Sequence, residues 1–453
     1  MTVKFRKILN IFCFGEEIEK SSESVASEKG SKKGMIRRFV FERSALDGHT
    51  PLYRLLVFLL IFTSGMGSVC SFMGIRPSYV AAFAVAVMLG IDKLRTLDFT
   101  ANRRYLFALA FLFVWGAYAL LQALFVRDVS FYAIYLNGLF INIFLIFVII
   151  DYVRDTNDVR FLLYCFATYI AVCLAIGLFE IFTNVHIVRI RETSNWLPHS
   201  FYGNQNDNAA VLAYGVFVIL LCLLRSDSYG VRSVFSVLLA VAIFEVIATE
   251  SRAAILGLCV MAVFTALLAF LVYVRERSRK TYRILLISGF SLFLLALCSV
   301  FIVFTPAELI ELLSGEGNQA SDSLRLNLII SGIRSLFETY GLGLGAGQSI
   351  TLNGINLHNF YLEILSEYGA IIGGTFVAGM IAIMFEFTEF KWSCDKERNL
   401  VADGLLRSFP IALVLIGIGP SSAVNIRSTW VIISIAFALK YVSGNTQRTA
   451  EIK

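Results

Sequence analysis

Charge and proline are both scarce in this sequence. Only 16% of its 453 residues are charged, too few for a soluble domain of this length. Its six prolines (51, 77, 198, 306, 410 and 420) stand at the ends of apolar runs or in loops, Pro410 excepted. No internal repeat is visible, so a secondary transporter or lipid flippase built from broken helices is the weaker alternative. The eight cysteines form no CxxC pair and mostly lie within apolar runs, which makes them small core hydrophobes, neither disulfides nor zinc ligands. There is no DxD motif and no His/Cys/Asp cluster at ligand spacing, so no metal and no cofactor is expected. "ILNIFCF" is too short an apolar core for a signal peptide.

What the chain does have is hydrophobic residues, 57% of the total with 40 Phe, and a mean hydropathy of +0.74. Apolar runs long enough to cross a membrane recur from Pro51 to near Ser443. They fall at about 52–73, 77–92, 105–126, 131–150, 161–182, 208–224, 233–250, 253–274, 284–304, 369–390, 405–421 and 427–442. Lipid satisfies no backbone polar group, so the expected class is all-α: a polytopic membrane bundle of about 12 transmembrane helices.

Lysine and arginine orient it. The first 50 residues hold ten of them, and "DKLRTLDFTANRR", "RERSRKTYR" and "KWSCDKER" are also basic. These segments fall on one side, which the positive-inside rule makes cytoplasmic, with both termini. The net charge of +6 then reflects topology and attraction to anionic membrane lipids, and no nucleic-acid partner is expected. The expected organisation is a basic, disordered head at 1–50, a transmembrane domain at 51–443 and a cytoplasmic tail at 444–453.

Two long segments remain for the outer face, 183–207 and 306–357, the second a large loop containing short amphipathic helices. Arg189, Arg191, Arg252, Arg325, Arg334 and Arg427 all fall outside, against the usual bias, which points to an anion held there. For Arg252 the plainer reading is snorkelling to headgroups or pairing with Glu245. Arg325 and Arg334 belong to a stretch where Leu324, Leu328 and Ile329 suggest a helix lying on the membrane. The run "GLGLGAGQ" (341–348) lacks the ending of a phosphate loop and reads as a flexible hinge. It leads to "NLHNFYLEILSEYGAIIGG" (356–374). There His358 shares a helix face with Tyr361, Leu362 and Leu365, while Glu363 and Glu367 point elsewhere. A neutral His358 could take a proton from a hydroxyl, and Asn359 could bond sugar hydroxyls or backbone.

These segments carry a resemblance. "GNQNDNAAVLA" (203–213), "SRAAILGL" (251–258) and "GLGLGAGQ" followed by "LHNFYLEILSEYGAIIGG" occur in the order seen in the O-antigen ligase and polymerase superfamily of bacterial surface-polysaccharide assembly. The resemblance implies a metal-independent, inverting glycosyltransferase of the bacterial cytoplasmic (inner) membrane, using a glycan on undecaprenyl pyrophosphate. It implies that Arg252 and Arg325 bind the pyrophosphate and that His358 assists deprotonation of the acceptor, a glycan or lipid. Arg189, Arg191, Arg334, Asn359, Asn204 and Asn206 are the further substrate-binding candidates, the last two matching the pattern without a particular role. Gln205 stands where many members have proline, and the long head is a candidate surface for a partner such as a chain-length regulator. The shared motifs fit a polymerase of lipid-linked repeat units, the favoured reading, and a ligase that passes the finished glycan to another acceptor.

Overall fold

The computed structural model describes residues 49–66, 76–96, 106–188, 197–277, 319–385, 392, 396–420, 422 and 424–451. Contacts divide the chain into two units, Met1–Leu52 and Tyr53–Lys453, and the architecture below is that of the second. The described residues form helices and connecting loops: α1 (Pro51–Gly65), α2 (Pro77–Thr96), α3 (Leu106–Gln122), α4 (Val129–Tyr152), α5 (Thr156–Thr183), α6 (Gln205–Arg225) and α7 (Tyr229–Ala248). They continue with α8 (Arg252–Arg277), α9 (Gln319–Glu338), α10 (Gln348–Asn353), α11 (Phe360–Phe385), α12 (Lys396–Ile416) and α13 (Arg427–Glu451).

The all-helical membrane class is as expected. Seven helices, α4 to α8, α11 and α12, are long and apolar enough to cross a bilayer. Four shorter apolar helices stand at Pro51–Gly65, Pro77–Ile91, Phe107–Gln122 and Arg427–Leu439, where spans were also expected. The span expected at 284–304 lies outside the described residues, as do the head and the first part of the large loop. The full count of 12 is therefore not established.

Local chemistry sets several helix starts. Asp128 accepts from the Phe131 N–H at 2.9 Å to open α4, and Asp155 accepts from Asn157 and Asp158 at 2.8 and 2.9 Å to open α5. Burial then sorts the spans. The span in α6 is 78% buried and that in α8 only 17%, so α6 runs through the protein interior while α8 lies against lipid. Trp115 of α3 meets Tyr368 of α11 and Trp430 of α13 with ring centroids 5.2 and 5.6 Å apart. Phe360 reaches the same Trp430 at 5.7 Å. This edge-on aromatic cluster draws α3, α11 and α13 together beneath the start of α11. Small residues bring backbones close elsewhere: a Cβ on Gly404 of α12 would stand 2.8 Å from the Thr265 carbonyl of α8.

Candidate functional site

The start of α11 is built around Asn359, whose side-chain oxygen accepts from the Leu362 N–H at 3.0 Å. The next N–H, that of Phe360, donates to the carbonyl of Gly417 at 3.1 Å, tying the helix to the segment after α12. His358 stands just ahead with φ of 51°, a left-handed conformation uncommon without glycine and a mark of a position fixed by its surroundings. Its Nδ1 lies 3.0 Å from the Pro420 carbonyl. A carbonyl only accepts, so Nδ1 carries the hydrogen and Nε2 keeps its lone pair. Burial, and after it the charge of Arg325, lower the pKa of His358, while the Pro420 bond pulls the other way. The ring is therefore neutral at pH 7, with Nε2 as the basic nitrogen.

The packing of α9 puts Arg325 where its charge acts on His358. Leu328 and Ser335 are buried, and a Cβ on Gly332 would stand 2.9 Å from the Leu362 side chain. Arg325, Leu328, Gly332 and Ser335 follow a spacing of three and four, so half-buried Arg325 shares the stripe that meets α11. Arg334 is off that stripe and exposed, and exposed Leu324, Ile330, Ile333 and Phe337 leave an apolar outer side.

Arg252 opens α8 and is exposed. The pairing considered for it with Glu245 does not occur: Glu245 is fully buried and turned onto Gly177, where a Cβ would overlap its carboxyl group. Its neighbours Ala253 and Ser251 abut Gly419, a Cβ there standing 3.1 and 3.4 Å from them. Arg252 and His358 thus flank the same short segment, 417–420.

The two glutamates of α11 face inward. Glu363 Oε1 accepts from Ser422 Oγ at 2.5 Å, and that hydroxyl accepts from Asn425 Nδ2 at 2.9 Å. One turn on, Glu367 Oε1 accepts from Ser349 Oγ at 2.5 Å. Each carboxyl group fastens one segment, Glu363 the one that holds His358 and Glu367 the start of α10, just after the glycine-rich run.

That run is no loose hinge. Gly341, Gly343, Gly345 and Gly347 all have positive φ. Leu344 and Gly345 donate to the Ser366 and Glu367 carbonyls, both at 2.9 Å, and Ala370 donates to Gly341 at 2.8 Å. Tyr118 Oη donates to the Leu342 carbonyl at 2.5 Å, and Gln122 donates to the same carbonyl at 3.1 Å and to that of Glu367 at 2.9 Å. The Gln348 side chain accepts from the N–H groups of Arg127 and Asp128. Glycine is needed because the backbone passes so close: a Cβ on Gly343 would lie 2.5 Å from the Glu367 carbonyl oxygen.

Arg189 and Arg191 lie outside the described residues. In the described segments before and after them in sequence, Glu180 accepts from the His199 and Ser200 N–H groups at 2.7 and 2.8 Å. His199 sits edge-on to His186, ring centroids 5.1 Å apart. Burial, then His186, push the His199 pKa down to about 4. Asn204 caps α6 by accepting from the Asn206 N–H at 2.9 Å, so its side chain serves to start the helix. Sequence reasoning picked out His358, Arg325 and Arg252 but not Ser349 and Ser422. The i, i+4 spacing of Glu363 and Glu367 was the available signal that two side chains act on one inward face.

The described residues thus define a bundle of apolar helices with a neutral histidine, a nearby arginine and a second arginine gathered at one end. A family model described as O-antigen ligase matches residues 235–378, the stretch that contains Arg252, Arg325 and His358. The teichuronic acid biosynthesis protein TuaE of Bacillus subtilis (strain 168) is 25% identical over 365 residues, which cover 76% of this chain and 73% of that protein. With the motifs, these likenesses support the resemblance of this chain to the O-antigen ligase and polymerase superfamily. They support a membrane enzyme of polysaccharide assembly acting on lipid-linked glycans.

Proposed function

We propose that the chain is a polysaccharide polymerase of the bacterial cytoplasmic membrane, joining repeat units carried on undecaprenyl pyrophosphate at the outer face. The observation that carries this reading is the His358 arrangement: a neutral ring, Nδ1 held by the Pro420 carbonyl at 3.0 Å, with the charge of Arg325 close by.

In this reading Nε2 takes the proton of the acceptor hydroxyl as its oxygen bonds to the donor's anomeric carbon. The bond from that carbon to the pyrophosphate oxygen breaks, and the pyrophosphate departs with the electron pair. Pyrophosphate is already a good leaving group, so catalysis consists mainly of alignment and charge stabilisation. Arg325 and Arg252 supply the charge; Glu363 and Glu367 hold the loops that position the parts. A groove of about 430 Å³ between α9, α11 and α12 starts beside Asn359 and is lined by Ile329, Leu362, Leu365, Met380 and Pro410 among others. Its apolar lining suits the lipid tail of the donor, which would enter sideways from the bilayer. Residues 51–443 form the catalytic domain, with 1–50 and 444–453 in the cytoplasm by the distribution of Lys and Arg.

A ligase is the second reading, favoured by the description of the matching family model. Purified full-length protein in detergent, incubated with a synthetic undecaprenyl-pyrophosphate oligosaccharide and neither metal nor nucleotide, separates the two. A polymerase yields a ladder of lengthening lipid-linked glycan that His358→Ala abolishes. One-step transfer that requires an added acceptor lipid identifies a ligase. No product under either condition would refute both readings.

A further inference from the structure

A second cluster of positive charge stands at the same end of the bundle. Arg427 opens α13 and is only 6% exposed. It donates through Nη1 to Ser78 Oγ, and its guanidinium lies 5.0 Å from the centre of the Tyr79 ring. Arg76 lies over the same ring at 5.8 Å, near enough for the two like charges to act on one another. The Tyr79 hydroxyl accepts from Asn137 Nδ2 at 3.1 Å. Neither arginine forms an ion pair with a carboxylate among the described residues. Both sit where helices begin, α2 at Pro77 and α13 at Arg427, so the partial positive charge of two helix ends adds to theirs.

Such an arrangement is costly when empty. A guanidinium removed from water beside a like charge, with a hydroxyl and a ring face but no carboxylate among the described residues to offset it, is only partly compensated. The cost is met by an anion that accepts from both forks, and a phosphate group has the oxygens to do so. The location narrows the source. Arg427 follows Pro420 and Ser422 on the segment that holds His358, while Arg252 stands beside that segment from α8 and Arg325 acts on His358 from α9. A polymerase has two lipid-linked substrates, and each carries a pyrophosphate at the membrane surface.

We propose that Arg76 and Arg427, with Tyr79 and Ser78, form a second phosphate site that receives the pyrophosphate of the acceptor's lipid carrier. Arg252 and Arg325 receive that of the donor. This rests on the polymerase reading. In a ligase, which passes the glycan to a different anchor, nothing would require a second pyrophosphate site.

The test is titration calorimetry on the purified full-length protein with farnesyl pyrophosphate, a short lipid pyrophosphate without sugar. Two molecules bind per chain. Arg76→Gln, which alters a less buried side chain than Arg427, weakens one of them by about tenfold or more, as does Arg427→Gln. Arg325→Gln removes the other. With a full-length donor and acceptor, Arg76→Gln raises the KM for acceptor and leaves that for donor unchanged. A single binding event insensitive to Arg76→Gln and Arg427→Gln overturns the inference while leaving the enzyme reading in place. Displacement of the second molecule by phosphatidylglycerol at equal concentration also overturns it, and identifies a phospholipid headgroup site. No binding by the unaltered protein counts against the polymerase reading itself.

Discussion

Arginine has two different situations in this molecule. Away from His358, Arg398 meets Asp227 at 2.8 Å and Arg407, midway along α12, meets Asp403 at 2.7 Å on the same helix. Arg225 lies 5.6 Å from the centre of the Trp392 ring, whose Nε1 donates to the Leu221 carbonyl at 2.9 Å. Around His358, Arg325, Arg427 and Arg76 form no ion pair with a carboxylate among the described residues. The carboxylates nearest the site, Glu363 and Glu367, accept from serine hydroxyls instead. Positive charge that the protein neutralises itself holds helices together; charge left without an acidic partner is available to a ligand.

Four substitutions press on this contrast. Arg325→Gln has the largest expected effect, a fall in transfer of about 100-fold or more, as expected when a donor facing the departing group is lost. It also moves the pH profile. The base is neutral His358, so activity falls as pH drops through its pKa, and Arg325 holds that pKa down. Without Arg325 the pKa rises, and the acid limb of the rate profile shifts to higher pH. An unmoved limb would separate Arg325 from His358.

Gly343→Ala comes next, and acts on the fold. With φ of 84° and a Cβ placed 2.5 Å from a backbone oxygen, alanine there costs about 1–3 kcal/mol, read as a lower melting temperature. Gly203→Ala, where a Cβ meets open space, leaves the melting temperature unchanged. If both variants melt alike, the glycine run is not fastened as described. The smallest effect belongs to Arg398→Gln. Its partner Asp227 is 71% exposed, and such pairs contribute less than about 1 kcal/mol. Stability and transfer both stay near those of the unaltered protein, and a large loss of transfer would erase the distinction between the two groups of arginines.

Much of the architecture was legible because a bilayer demands long apolar runs, and α4 to α8, α11 and α12 announce themselves by length alone. His358, Arg325 and Arg252 were legible for a different reason: they stand in short motifs that resemble a known family. What stayed hidden depends on partners far apart in sequence. Glu363 is fastened by Ser422, 59 positions on, and Arg427 by Ser78, 349 positions back. The run 341–348 read as a hinge because glycine-rich composition looks the same whether a segment is free or tightly enclosed. Tyr118 and Gln122, more than 200 positions away, decide which it is. Asn359 was considered for sugars or backbone, and the backbone has its side-chain oxygen.

Within α11, Gly369 interrupts the helical path with φ of 82° and ψ of 174°, about three turns along the chain from His358. Bilayers differ in thickness, and a spanning helix answers by tilting. A break at Gly369 lets the longer part of α11 follow the lipid while the short part above it stays moored to the loops through Glu363 and Glu367. The chemistry at this surface is thereby insulated from the dimensions of the membrane in which it is embedded.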